Sequence, residues 1–136
     1  MNIHVITMKF VKIIIERSEG AFWAYAEQVE GVSGGGDTVQ EAKQSVLDSI
    51  ELQKDLGNWP KSLGENYELT YKFDTESLLN YFKGVFTHAA FERITGINQK
   101  QLQHYASGHR KPRPLQAKKI EAALHKLGNE LLAVEL

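Results

Sequence analysis

The sequence predicts an α+β protein in two parts: a small β-β-β-α-β sheet domain over residues 1–73, followed by an all-α domain over residues 74–136. Three observations predict it. Tyr67, Leu69, Tyr71 and Phe73 alternate with Glu68, Thr70 and Lys72, the period of a half-buried strand, and after Asp74 the apolar period turns helical and stays so. The charge balance flips at the same place. Residues 1–74 carry seven Lys and Arg against twelve Asp and Glu, a balance of −5, whereas residues 75–136 carry nine against five, a balance of +4. An acidic part joined to a basic part points to two modules with different partners, the basic one suited to a polyanion. Finally, 136 residues suffice for one ordinary domain or two small ones.

Each element has a local cause. Phe10 to Glu16 is rich in Val and Ile, and Phe22 to Ala26 alternates. The turn Arg17-Ser18-Glu19-Gly20 joins them into an antiparallel hairpin. Val29 to Ser33 is expected to add a third strand that ends in Gly34-Gly35-Gly36, read as a strand-to-helix turn. Thr38 and Glu41 stand at capping-box spacing. Val39, Ala42, Val46 and Ile50 then recur at helical spacing, with Leu47 widening the stripe, until Gly57-Asn58-Trp59-Pro60 ends the helix. In the second part, Thr75 is expected to cap a helix carrying Leu78, Leu79 and Phe82. Thr87 starts another with Ala90, Phe91 and Ile94 inward, and Asn98 a third with Leu102 and Tyr105 inward and Gln101 at the reciprocal capping position. Pro114 opens a last helix whose Ala117, Ile120, Leu124, Leu127 and Leu131 approach a three-four alternation, part of it available to a dimer interface.

Composition excludes several chemistries. There is no cysteine, hence no disulfide framework, thiolate zinc site, iron–sulfur cluster or cysteine nucleophile. The apolar run from Val5 to Ile15 is interrupted by Thr7, Lys9 and Lys12, and no stretch approaches the roughly 20 apolar residues of a membrane span. The beginning of the chain lacks the pattern of an export signal, so a cytoplasmic protein with no membrane partner is expected. His104 and His109 have no third ligand at convincing spacing, so no metal and no cofactor are expected. The triple glycine lacks the Lys-Ser/Thr pair that a phosphate-binding loop carries.

Residues 87–108 have the spacing of a helix-turn-helix, with helices over Thr87 to Thr95 and Gln99 to Ala106 and a turn at Gly96-Ile97-Asn98. That arrangement presents the start of the second helix to a DNA major groove. Its exposed residues are expected to be Gln99, Lys100, Gln101, Gln103, His104 and Ser107. Gln pairs bidentately with adenine and Lys reaches guanine acceptors. Arg110, Lys111 and Arg113 follow directly and suit phosphates. Asn98 caps the reading helix, and His88 stands where the first helix crosses the backbone.

Gly96-Ile97-Asn98-Gln99-Lys100-Gln101-Leu102, followed by Gly108-His109-Arg110-Lys111-Pro112, resembles the turn, recognition helix and basic exit loop of the Xre/Cro–repressor helix-turn-helix family over about residues 75–132. The resemblance places Gln99, Lys100 and His104 at base-contact positions. His88 departs from a phosphate-contacting Gln that is frequent there. Trp23-Ala24-Tyr25-Ala26, followed by Gly31-Val32-Ser33-Gly34-Gly35-Gly36-Asp37-Thr38-Val39-Gln40-Glu41-Ala42, is similar to the HicB antitoxin family over roughly residues 8–73. This second resemblance implies a degenerate ribonuclease-H-like fold, a HicA-type toxin that cleaves messenger RNA as partner, and repression of the chain's own operon through an operator duplex. Repressors of this type act as symmetric homodimers or higher oligomers. A catalytic ribonuclease-H-like site needs a carboxylate centrally on its first strand, and here Glu16 stands only at the end, so the chain is read as no enzyme.

Two surfaces of the first part are candidates for toxin binding. Glu41, Asp48, Glu51 and Asp55 recur on the polar side of the helix, either a solvated face or a dock for a basic protein. Trp23 and Tyr25 are either core, with Phe22 and Ala24 outside, or an exposed aromatic anchor. A different class of function also remains, a stand-alone transcriptional regulator whose sheet domain oligomerises or senses a ligand.

Overall fold

The computed structural model describes residues 9–136 and divides the chain into two compact units, Met1–Asp74 and Thr75–Leu136. Among the described residues the architecture is α+β, a four-stranded sheet with one helix and then four further helices. The start of the apolar run, Val5 to Met8, lies outside the described residues.

In the first unit, β1 (Phe10–Ser18) pairs antiparallel with β2 (Ala21–Ala26). The strands run closer to the turn than expected, leaving only Glu19 and Gly20 between Ser18 and Ala21. Both have positive φ, 50° and 79°, as the tightest hairpin turns require. Strand alternation then sends Val11, Ile13, Ile15, Phe22, Ala24 and Ala26 to one face, all buried. Helix α1 (Val39–Asp55) covers that face with Val39, Ala42, Val46 and Ile50. Fully burying such a side chain is worth about 1.5–3 kcal/mol, so this row dominates the unit. Thr38 Oγ1 accepts the Glu41 N–H at 3.1 Å, while the Glu41 carboxylate accepts from the Asp37 N–H at 2.9 Å, one residue ahead of the cap. β4 (Glu68–Phe73) returns parallel to β1, giving the order β3-β2-β1-β4, with Leu69, Tyr71 and Phe73 half-buried on the helix side.

The third strand is displaced from its expected place. Strand β3 is Ser33–Gly36, the glycine run itself, and Val29 and Val32 are buried in the connection before it. The reason is close approach. A Cβ on Gly34 would lie 2.3 Å from Ser45 Oγ, and one on Gly36 would lie 2.4 Å from Glu41 Cβ, so α1 rests directly on the β3 backbone. On the other face, a Cβ on Gly35 would meet the Trp23 ring at 2.8 Å. The run is therefore a strand that only glycine can build, not a turn.

The second unit consists of α2 (Thr75–Phe82), α3 (His88–Thr95), α4 (Gln99–Ala106) and α5 (Pro114–Leu132). Thr75 is the first residue of its helix rather than the cap. Leu79, Phe91, Ile97, Leu102, Tyr105 and Ile120 form the buried core, ringed by half-buried Leu78, Phe82, Phe86, Ile94, Ala106 and Leu124. The α5 stripe leaves this core before its end: Ile120 is buried, Ala117, Leu124 and Leu127 are half-buried, and Leu131 is exposed. Among the described residues no helix is long and apolar enough to cross a membrane.

Candidate nucleic-acid interface and sheet surface

The geometry of α3 and α4 follows from four local devices. Thr87 caps α3 by accepting the Ala90 N–H at 3.0 Å. Gly96 ends it in the left-handed conformation at φ 75°, which a side chain would resist. Ile97 turns into the core, and Asn98 Oδ1 accepts the Lys100 N–H at 2.8 Å to open α4. Leu102 and Tyr105, both buried, fix the rotation of α4 about its axis. Gln99, Lys100, Gln103 and Ser107 are thereby left exposed.

Two side chains depart from the expected exposed face. Gln101 is half-buried and donates its amide to the Tyr105 hydroxyl at 2.8 Å, so it neither caps reciprocally nor stands free toward a base. An N3 side chain that finds a strong partner one turn on gives up the backbone N–H behind it. His104 is half-buried, its ring 4.9 Å from that of His109 in an edge-on arrangement. Burial first, then the positive charges of His109, Arg110 and Lys100, lower its pKa from the ordinary value. The neutral imidazole so favoured offers both a donor and an acceptor. Gln99 donates to the Glu92 carboxylate at 3.0 Å, which holds its amide at the turn.

The exit loop is tied back to α4, since the Arg110 N–H donates to the His104 carbonyl at 3.2 Å. Arg110, Lys111 and Arg113 are exposed, and with Gln101, Tyr105 and Gln116 they border an open groove of about 530 Å³. Arg113 occupies the cap position of α5 without spending its side chain there, and Pro114 follows at the first helical position. His88, half-buried, is the first residue of α3. The structure thus gathers Asn98, Gln99, Lys100, Gln103, His104 and the three exit-loop cations around α4, with Gln101 turned into the groove. Among the described residues no group of three or more His, Asp or Glu is placed to hold a metal ion.

The six toxin-binding candidates do not form one surface. Trp23 and Tyr25 are 48% and 36% exposed on the sheet face opposite α1, which sets the core alternative aside: the β2 residues buried beneath the helix are Phe22, Ala24 and Ala26. Glu41, Asp48, Glu51 and Asp55 are exposed on α1 itself. The residue that sequence reasoning missed is Glu16, which stands directly across from Trp23 in the register and accepts the Tyr25 hydroxyl at 3.3 Å. The signal was the hairpin register, which a two-residue turn fixes. Burial first, then Glu16 and Glu27, raise the Tyr25 pKa above its ordinary value.

No protein-family model matches the chain, and no solved structure matches it. Among curated proteins it is similar to a UPF0150 protein of Synechocystis sp. (strain ATCC 27184 / PCC 6803 / Kazusa), with 45% identity over 40 residues. That alignment takes in 29% of this chain and 56% of the relative, so the chain spans little more than half the length of the curated protein it matches.

Proposed function

We propose that this chain is a two-module antitoxin: the sheet unit sequesters a basic, RNA-cleaving toxin of the HicA type, and the helical unit binds the operator of their shared operon as a homodimer and represses it. The observation that carries the reading is the outward face of α4, where Gln99, Lys100 and Gln103 are exposed and His104 is half-buried, on a helix anchored from behind by Leu102 and Tyr105 and followed by three exposed cations. Amides and a lysine at the start of such a helix have base-reading chemistry, and the cations beside it suit phosphates. The similarity to the UPF0150 protein supports a HicB-family relationship, and with it the toxin–antitoxin context. The −5 balance of residues 1–74 suits a basic protein and opposes a nucleic acid on that unit.

The test is co-expression with the short open reading frame adjacent to the gene. The expected outcome is growth arrest by that product alone, relief on adding this chain, and co-purification of the two. A harmless product that never co-purifies overturns the antitoxin reading. If the chain still shifts a specific DNA fragment, the stand-alone regulator replaces it.

A further inference from the structure

We infer that the open face of the sheet, at Trp23, Tyr25 and Glu16, is a receptor for an arginine side chain of a basic protein partner. The inference rests on the sequestering role proposed above and assigns it to the sheet rather than to α1.

The Trp23 indole lies against the Gly35 backbone, where any Cβ would strike its ring at 2.8 Å. Its Nε1–H donates to the Ser18 carbonyl at 3.1 Å. The ring is thereby held in place, while Trp23 remains 48% exposed. Tyr25, two residues along the same strand, faces the same way, and Glu16 is the cross-strand partner of Trp23. The Glu16 carboxylate uses Oε1 to accept the Tyr25 hydroxyl at 3.3 Å, and its other oxygen has no hydrogen bond among the described residues. A carboxylate braced beside two aromatic rings matches a guanidinium. The planar cation stacks on the indole while its N–H groups reach the free oxygen, and both attractions strengthen as water leaves.

The helix offers less. The Glu41 carboxylate is held by the Asp37 N–H, Asp48 by the Gln44 amide at 3.0 Å, and Glu51 by Lys54 at 3.5 Å. The helix itself carries no aromatic residue, and Trp59 and Tyr67 beside it are taken up by Lys54, whose ammonium lies 5.4 and 4.9 Å from their rings, whereas Trp, Tyr and Arg are the residues that dominate interface energies. Glu16 beside Trp23, with Lys12 already paired to Glu27 at 3.6 Å, also argues against single-stranded nucleic acid as the ligand of Trp23, since base stacking on such platforms comes with a cationic groove for the backbone.

The experiment is calorimetric titration of the full chain with the purified product of the adjacent short open reading frame, with circular dichroism confirming that each variant is folded. Trp23→Ala is expected to weaken binding on the order of 30-fold or more, the scale of a truncated anchor. The nearly isosteric Glu16→Gln is expected to weaken it about tenfold or more, the lower end of what a close interfacial charge pair contributes. Trp23→Phe retains part of the affinity, and the α1 double variant Asp48→Asn, Glu51→Gln binds as the unaltered chain does. An oligo-arginine peptide shifts the Trp23 indole N–H resonance in the unaltered chain and not in Glu16→Gln. Undiminished binding by both Trp23→Ala and Glu16→Gln, loss confined to the α1 variant, or Trp23 quenching by single-stranded poly-uridine instead of the peptide overturns the inference while leaving the proposed function standing. An unaltered chain that does not bind the neighbouring product removes the proposed function and this inference together.

Discussion

The outer face of the sheet and the outer face of α4 are both exposed, yet they are specified in different ways. On the sheet, exposure is dictated from beneath. Alternation along β2 forces a choice of face, and α1 covers the face that carries Phe22, Ala24 and Ala26, so Trp23 and Tyr25 lie outside. On α4, exposure is dictated from behind by two anchors, Leu102 and Tyr105, and the outward positions are free to carry amides and cations. The comparison teaches where sequence freedom lies. The sheet face is coupled to three glycines and a helix on the far side, whereas the α4 face changes without disturbing the core.

The sharpest break of that comparison is at the anchors. Leu102→Ala removes a fully buried side chain from a small core and is expected to destabilise the second unit by about 2–5 kcal/mol. Thermal unfolding monitored by circular dichroism reads it. A loss below 1 kcal/mol, about what a surface substitution gives, would mean that α4 is not held as described. Gly34→Ala tests the other side. Its new Cβ meets Ser45 Oγ at 2.3 Å and the Ser45 backbone carbon at 2.8 Å, and helix backbone does not yield as a side-chain tip does. A loss of about 1–3 kcal/mol is expected from such overpacking. Gly57→Ala, with open space around it, carries only the strain of its positive φ and sets the baseline.

Changes on the α4 face are expected to leave stability alone and move recognition. Gln99→Ala is expected to lower discrimination between operator and mismatched duplex by about 1–3 kcal/mol at one base pair, read by competition gel shift. Unchanged sequence preference would remove Gln99 from base reading. Lys111→Ala weakens all duplexes alike and reduces the slope of log affinity against log salt by about one. A change in sequence preference with an unchanged salt slope would assign Lys111 to bases instead of phosphate.

What was legible in the sequence was local. Thr38 with Glu41, Thr87, Gly96 and Asn98 each settle a helix boundary within four residues, and the period of Val39, Ala42, Val46 and Ile50 names the buried face of α1 with no outside information. The misplaced features depend on partners distant along the chain. Gly34 looks like a turn residue until Ser45 is brought against it. The face of Trp23 depends on which side α1 covers, and alternation alone is symmetric between the two. Gln101 satisfies the capping pattern as well as any residue, and only the depth of Tyr105 shows why its amide goes elsewhere. At the candidate sites, residue types were legible and pairings were not: Glu16 belongs with Trp23 because of a register, and His104 with His109 because the exit loop folds back.

The smallest effect tests the least obvious of those pairings. In the free chain the surroundings of His104, its burial first and then His109, Arg110 and Lys100, favour the neutral ring. Phosphates brought against α4 add negative potential that favours the charged ring, so duplex binding raises the His104 pKa and takes up part of a proton. By linkage, affinity then strengthens as pH falls from about 8 toward about 6, by less than tenfold per pH unit because less than one proton is exchanged at this site. The informative quantity is the difference in slope between the unaltered chain and His104→Gln, which keeps a hydrogen-bonding side chain but does not titrate. A shallower slope in His104→Gln is the expected outcome of fluorescence-anisotropy titrations across that range. Identical slopes would place His104 outside the phosphate field, and with it the far end of α4 outside the groove.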